Sequence, residues 1–349
     1  MSWPEAPLSN VGIPRIMKAQ AVVFTGPRQV EFRTIDCPEP GPSDVVVRVT
    51  HSWISNGTEG SYLRGERIAG DTPRREGDPW PFPIVSGYQK IGFVEAVGAD
   101  VEDLEIGERV FAVCGNVEGM FESWAGHVNP SVTPRSQVYK LPDQPDPLAY
   151  AGLVLTQVGY NCGVRSPIGI GQGAVVVGDG LVGQWAAQTL AWRGAEVLLV
   201  GRHGDRLDRF AGKPYRHIHN LSRDPDWVAA ARRLFPDGAT VAVDTVGSAG
   251  VMESFFEVLH RFGHAVSAGF YGTEDRVALQ PLRYGELSIE LVSGLRPFRM
   301  EETIRLIAGG YLETLPLITH HFPARRAADA WELIESKSEP VLGVILDWE

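Results

Sequence analysis

The run Gly178-Asp-Gly-Leu-Val-Gly183 follows an apolar, β-branched stretch at residues 174–177 and opens into the helix-favouring segment 184–192. Glycines at that spacing, set between a buried strand and a helix, suit the pyrophosphate of a dinucleotide. Gly178 permits the tight turn, Gly180 lets phosphate approach the backbone, and Gly183 lets helix and strand pack closely. Leu181 and Val182 open the helix, whose unpaired N–H groups attract phosphate oxygens.

The next strand, residues 196–200, runs into Gly201-Arg-His-Gly-Asp-Arg206. An NAD site places Asp or Glu here to accept hydrogen bonds from the ribose 2′-hydroxyl. Gly201 instead leaves room for a 2′-phosphate, and Arg202, His203 and Arg206 suit its oxygens. The expected cofactor is therefore NADP(H). Two other readings compete: a solvated basic loop, and Asp205 serving NAD(H) from an unusual position.

These residues need a scaffold. In the first third, β-rich runs at 19–24, 44–50, 90–97 and 109–113 are separated by Pro and Gly turns, which suggests short antiparallel strands in a barrel-like domain. From about residue 155 the rhythm becomes strand, helix, strand. Apolar strands fall at 174–177, 196–200, 240–243 and 264–268, with helical patterns at 227–234 and 251–261. That alternation implies an α/β fold, a doubly wound parallel sheet covered on both faces. An amphipathic stretch at 300–308 precedes a last strand at 341–346, expected to return to the first domain.

At 349 residues the chain can hold two domains, and 44% hydrophobic with 21% charged residues is the composition of a soluble globular protein. A net charge of −11 argues against nucleic-acid binding, which needs a basic surface. Cys37, Cys114 and Cys162 form no CxxC pair and read as reduced thiols in a reducing compartment, hence cytoplasmic. No apolar run reaches membrane-spanning length. Residues 1–16 hold three prolines and read as a loose leader, not a secretory signal.

A β-rich first domain, a nucleotide fold and a C-terminal return resemble the medium-chain dehydrogenase/reductase superfamily from Met17 onward. The likeness rests on Gly107-Glu-Arg-Val110 before a strand, Val138-Tyr-Lys-Leu-Pro142 before the domain crossing, Asp244-Thr-Val-Gly247, and Arg261-Phe-Gly263 ahead of strand 264–268 and Gly269. It implies a chaperonin-10-like β-barrel catalytic domain over 17–153, rejoined by 298–349. It implies a Rossmann dinucleotide-binding domain over 154–297, an active site in the cleft between the two, and a homodimer. Thr245 and Gly269 join the residues expected around the cofactor.

The departures from that pattern concern metal. Zinc alcohol dehydrogenases of the superfamily carry Cys-Gly-Ser/Thr-Asp where this chain reads Asn56-Gly-Thr-Glu59, and Gly-His-Glu where it reads Gly87-Tyr-Gln89. Their third ligand would fall around residues 152–154, where no side chain binds metal, and their four-cysteine lobe is reduced to Cys114. A catalytic zinc needs three protein ligands. Only Glu59 remains at the aligned positions, so no metal is expected.

Without a Lewis acid, a hydrogen-bond donor must stabilise the developing oxyanion. By the resemblance, Tyr88 points into the vacated metal site and is the first candidate, with Thr58 second. The competing role for Tyr88 is packing. Glu59 would anchor or polarise the network and Gln89 orient it, while Asn56 either lines the site or serves a turn. Lys90 reads as a strand residue. Trp53, Tyr62, Trp80, Phe82, Phe121 and Trp124 divide between core and pocket lining. Arg64, Arg67, Arg74 and Arg75 lie in a loop near the expected cleft mouth, where an anionic substrate and solvated ion pairs both fit. His320 and His321 face opposite ways on a strand and make a poor metal pair.

The favoured function is zinc-independent, NADP(H)-dependent interconversion of an alcohol and a carbonyl on a small molecule. Ile54-Ser-Asn-Gly-Thr-Glu59 is similar to a pattern in bacteriochlorophyllide a dehydrogenases and their relatives. A C=C reductase of quinone or enoyl type is the alternative. An NADPH-binding protein without catalysis is the third, disfavoured because hydrogen-bonding residues replace the metal ligands.

Overall fold

The computed structural model describes residues 16–121, 125–271 and 276–348; the leader up to residue 15 and Trp124 lie outside the described residues. Strand Asp44–Trp53 is the hub of the first domain. It pairs antiparallel with Lys90–Val97 on one side and with Gly343–Asp347 on the other, so the C-terminal strand closes onto the barrel. Arg109–Ala112, Val138–Lys140 and Ile318–Pro323 extend that sheet, while Ile16–Gly26, Gln29–Pro38 and Val128–Asn129 form a smaller one.

The second domain is a six-stranded parallel sheet. Its spatial order is Arg216–Asn220, Glu196–Gly201, Gly173–Val177, Ala239–Asp244, Leu259–Ser267, Ser288–Leu291. The strand order therefore reverses beside Gly173–Val177, the point at which doubly wound sheets bind ligands. Every residue of Gly173–Val177 is buried, as a strand covered on both faces requires. Helices Leu153–Val164 and Leu181–Trp192 cover one face. They approach closely because Gly159 and Gly163 carry no side chain: a Cβ at either would come within 2.5 Å of Trp185 or Thr189.

One apolar cluster bridges the domains. It joins Trp53, Tyr88 and Ile91 of the barrel to Leu181 and Trp185, with Met300 and Leu306 from helix Pro297–Ala308. The indoles of Trp53 and Trp185 lie 5.9 Å apart. Burying each such side chain contributes about 1.5–3 kcal/mol, so the cluster helps hold the two domains together.

Two elements differ from expectation. The helix expected over 251–261 is Ala249–Val258, and the following strand already begins at Leu259. Leu259 pairs with Ala239, then the register slips, and Phe262 adopts a positive φ of 69° before pairing resumes at His264. A kinked strand start with aromatic and basic residues had the spacing of a helix end. The last strand begins at Gly343, not residue 341. The carbonyls of Val341 and Leu342 accept from the side chains of Arg206 and Asn56 instead of a neighbouring strand.

Candidate active site

The candidate catalytic residues cluster on helix Asn56–Leu63, which begins as the barrel strand ends. The Ile54 N–H bonds the Val344 carbonyl at 3.0 Å and fixes the turn. The Ser55 N–H donates to Glu59 Oε1 at 2.7 Å, while its hydroxyl accepts from the Tyr88 phenol at 2.6 Å. The Thr58 side chain is hydrogen-bonded to the same phenol. Burial pushes the Tyr88 phenol up to about 12, outweighing the hydrogen bonds from Ser55 and Thr58 that draw it down. At neutral pH it is a protonated donor between two hydroxyls.

Glu59 is 1% exposed and fully engaged. Its Oε2 accepts from Ser86 at 3.0 Å and lies 2.7 Å from His127 Nε2. His127, also buried, places Nδ1 2.8 Å from the Ser52 hydroxyl, to which the Trp348 indole N–H donates at 2.8 Å. A hydrogen-bonded chain thus runs from the catalytic turn through the barrel to the last strand's end. Sequence reasoning missed His127 and Ser55. The hydroxyl beside Asn56 was visible, but no spacing linked His127 to Glu59.

The other candidates are placed differently. Gln89 donates from Nε2 to the Trp53 carbonyl at 3.2 Å and accepts from the Leu155 N–H at 3.4 Å, so it ties the barrel to helix Leu153–Val164 rather than orienting Tyr88. Asn56 donates to the Leu342 carbonyl at 2.8 Å, and its buried Oδ1 has no partner among the described residues. Lys90, fully buried, donates to the carbonyls of Ala125 at 2.9 Å and Val113 at 3.4 Å. Burial brings its amine down to about 8.

Of the four arginines, Arg64 pairs with Glu66 and Glu335, Arg74 stacks over Trp80 at 4.0 Å, and Arg75 is exposed. Arg67 is 4% exposed, and its guanidinium stacks on Phe270 of the other domain at 4.0 Å.

The glycine-rich turn has the shape its spacing requires. Gly178 has a φ of 118°, and a Cβ on Gly183 would lie 1.9 Å from the Gly178 carbonyl. Gly180 caps helix Leu181–Trp192 without any side-chain cap, and the space above its Cα is open. The first-turn N–H groups are left for an anion. Leu181 and Val182 pack their side chains into the interdomain cluster with Trp185. Across the turn, Thr245 donates to the Val177 carbonyl at 3.0 Å. The Asp244 carboxylate accepts the N–H groups of Val246, Gly247 and Ser248 at 2.8–3.2 Å. Gly269 packs against Gly247, where a Cβ would come within 2.0 Å of the Gly247 nitrogen.

The adenosine end departs from expectation. The room above Gly201 is filled by Asp179, the residue between the first two glycines of the motif. Its Oδ2 accepts the N–H groups of Arg202 at 2.7 Å and His203 at 2.8 Å. The His203 ring stands 3.0 Å away, and Arg206 donates to Oδ1 at 3.3 Å. Arg206 also donates to the Val341 carbonyl at 2.7 Å, so it turns inward as an interdomain tie. The Arg202 residue is exposed, and its guanidinium makes no bond among the described residues.

The superfamily likeness implies zinc, and the donor set does not fit it. Among the described residues no three His, Cys, Asp or Glu side chains converge. The candidate site holds one carboxylate and one imidazole, Glu59 and His127, bonded to each other and to Ser52, Ser55 and Ser86. A tyrosine, an asparagine and a glutamine occupy the neighbouring positions.

Comparison with known proteins agrees with this architecture. Residues 41–143 match the family model of the alcohol dehydrogenase GroES-like domain, and residues 182–309 match that of zinc-binding dehydrogenases. The chain is 27% identical to a 2-desacetyl-2-hydroxyethyl bacteriochlorophyllide A dehydrogenase of Cereibacter sphaeroides, over 95% of this chain and 99% of that one. It is 24% identical to an L-threonine 3-dehydrogenase of Deinococcus radiodurans, over 90% and 93%. An Escherichia coli oxidoreductase/dehydrogenase of unknown specificity superposes with a TM-score of 0.83 at 19% identity, covering 95% of this chain and all of that one. With both domain models matched in order along the chain, it belongs to the medium-chain dehydrogenase/reductase superfamily.

Proposed function

We propose that this protein is a zinc-independent, NADP(H)-dependent oxidoreductase that interconverts an alcohol and a carbonyl on a small molecule. The observation that carries the reading is the buried Tyr88 phenol, held 2.6 Å from Ser55 and bonded to Thr58. The glycine turn of Gly178, Gly180 and Gly183 would hold a nicotinamide cofactor, which when bound would supply or accept the hydride. Tyr88 donates a proton to the carbonyl oxygen as charge develops there, and the two hydroxyls hold the phenol in line and stabilise the phenolate left behind. Glu59 and His127 act beneath this triad by fixing the Ser55 backbone. The printed activities of both curated relatives concern hydroxyl-bearing substrates, which favours C=O over C=C chemistry.

For the cofactor, the exposed Arg202 guanidinium supports a 2′-phosphate contact, and Arg206 offsets the charge of Asp179. The homodimer and cytoplasmic location belong to the same reading. Edge strand Ser288–Leu291 has one side unpaired and exposes Leu291 and Ile289 as a seam for a second copy. No helix among the described residues is long and apolar enough to cross a membrane.

A panel of ketones, enones and alcohols, run with NADPH/NADP and NADH/NAD on chelator-dialysed protein, tests the reading. Ketone reduction with NADPH that survives metal removal supports it. Turnover of enones alone, or activity that returns only with zinc, overturns it.

A further inference from the structure

Arg67 stands apart from the other arginines of its loop. A buried guanidinium is costly unless it is paired, and the carboxylate that pairs with it, Asp71, is 77% exposed and touches only Nη1, at 2.5 Å. The Nη1 group also donates to the Gly70 carbonyl at 3.3 Å. Nε donates to the Ser61 hydroxyl at 2.5 Å, and that hydroxyl donates to the Thr58 carbonyl at 2.7 Å. The guanidinium is thereby fixed to the turn of helix that carries Thr58. Its flat face lies 4.0 Å from the ring of Phe270, one residue past Gly269 on the nucleotide domain. It therefore sits between the catalytic helix and the loop that borders the cofactor. Nη2 makes no hydrogen bond among the described residues. The positive charge also reaches Tyr88, whose phenol it draws downward against burial.

We propose that Arg67 recognises a carboxylate on the substrate, so that the alcohol/carbonyl pair carries a negative charge close to its reacting carbon. This rests on the alcohol/carbonyl reading above. Ser61 and Phe270 hold the guanidinium plane, so Nη2 meets one carboxylate oxygen, and Nη1 meets the second where the exposed Asp71 gives way. The substrate oxygen then lies toward Tyr88, and its carboxylate toward the domain gap.

Matched pairs decide the matter: 2-oxo and 3-oxo acids against their methyl esters, with the wild type, Arg67→Gln and Arg67→Lys. In the wild type kcat/KM for the acids should exceed that for the esters at least tenfold. R67Q should erase that preference, chiefly through KM, with esters losing only the kcat that the charge beside Tyr88 supplies, while R67K keeps part of the preference. A wild type that prefers esters, or an R67Q that loses acid and ester alike, overturns the proposal and leaves Arg67 an interdomain post. Should no oxo compound be turned over, the functional reading falls, and malonate binding to the NADPH-loaded protein, followed by cofactor fluorescence, still decides. Malonate binding at least tenfold weaker in R67Q upholds the carboxylate site; equal binding, or none in the wild type, overturns it. Thermal melts identify any variant that fails to fold, in which case R67K and Phe270→Leu carry the comparison.

Discussion

The Asp179 carboxylate occupies the space that Gly201 leaves: a Cβ on Gly201 would meet Asp179 Cβ and Oδ2 at 2.4 Å. An acid therefore stands at the strand end after all, but it reaches across from the glycine turn. Two backbone N–H groups, the His203 ring and Arg206 surround it. With its acceptor sites engaged, Asp179 shapes the loop more than it contacts a ribose. Asp179→Ala should weaken NADPH and NADH binding together, by about tenfold or more, since unsatisfied N–H groups cost about 1–3 kcal/mol each. Fluorescence titration reads this directly, and a selective loss of NADH alone would mean that Asp179 holds the ribose itself.

Arg202 is the exposed cation of the same loop. Arg202→Ala should raise the Kd for NADPH by about 10- to 100-fold, the worth of roughly 1.5–3 kcal/mol for a charge-assisted contact. NADH binding should change less than threefold. Equal effects on both cofactors would remove the 2′-phosphate from this site.

Glu59 and His127 form a pair sealed inside the barrel, at 1% and 0% exposure. Removing His127 leaves the buried Glu59 with only its bonds from Ser55 and Ser86, and breaking a buried pair in this way typically costs about 3–5 kcal/mol. His127→Ala should therefore lower the denaturant midpoint markedly, with Glu59→Gln milder because an amide still donates and accepts. A His127→Ala midpoint indistinguishable from wild type would show that the pair contributes nothing to stability.

Lys90 gives the protein a pH signature. Its folded value of about 8 lies below the ordinary 10.5, because burial disfavours the charged amine. Between those values the unfolded chain binds more protons than the folded one, so wild-type stability gains with rising pH. That contribution is complete above 10.5 and is lost as pH falls through about 8. Relative to Lys90→Met, the wild type should gain on the order of 1–3 kcal/mol between pH 7 and pH 10. Parallel stability curves for the two proteins would contradict a desolvated amine.

The nucleotide half was legible in sequence because its signals are local: Gly178, Gly180 and Gly183 act within one turn, and strands 174–177 and 196–200 are continuously apolar. Asp179 was not, since its motif position carries no steric demand and its partners lie 23 and 24 residues away. The Glu59–His127 pair spans 68 residues. No periodicity or spacing reports a contact made only when Val128–Asn129 pairs with the first barrel strand. Tyr88, Thr58 and Glu59 were placed by alignment to a known pattern, and their hydrogen-bond partners, Ser55 above all, appear only in three dimensions. Gln89 and Asn56 lay close enough in sequence to suggest catalysis, but their side chains bond backbone carbonyls.

The most direct measurement is steady-state ketone reduction by Tyr88→Phe beside the wild type, with NADPH affinity determined on the same samples. A proton donor held between Ser55 and Thr58 contributes about 10²–10⁴-fold, so kcat should fall by at least 10² while the Kd for NADPH stays within twofold. Full turnover by Tyr88→Phe with intact cofactor binding would make the phenol a packing residue and remove the proposed acid from the reaction.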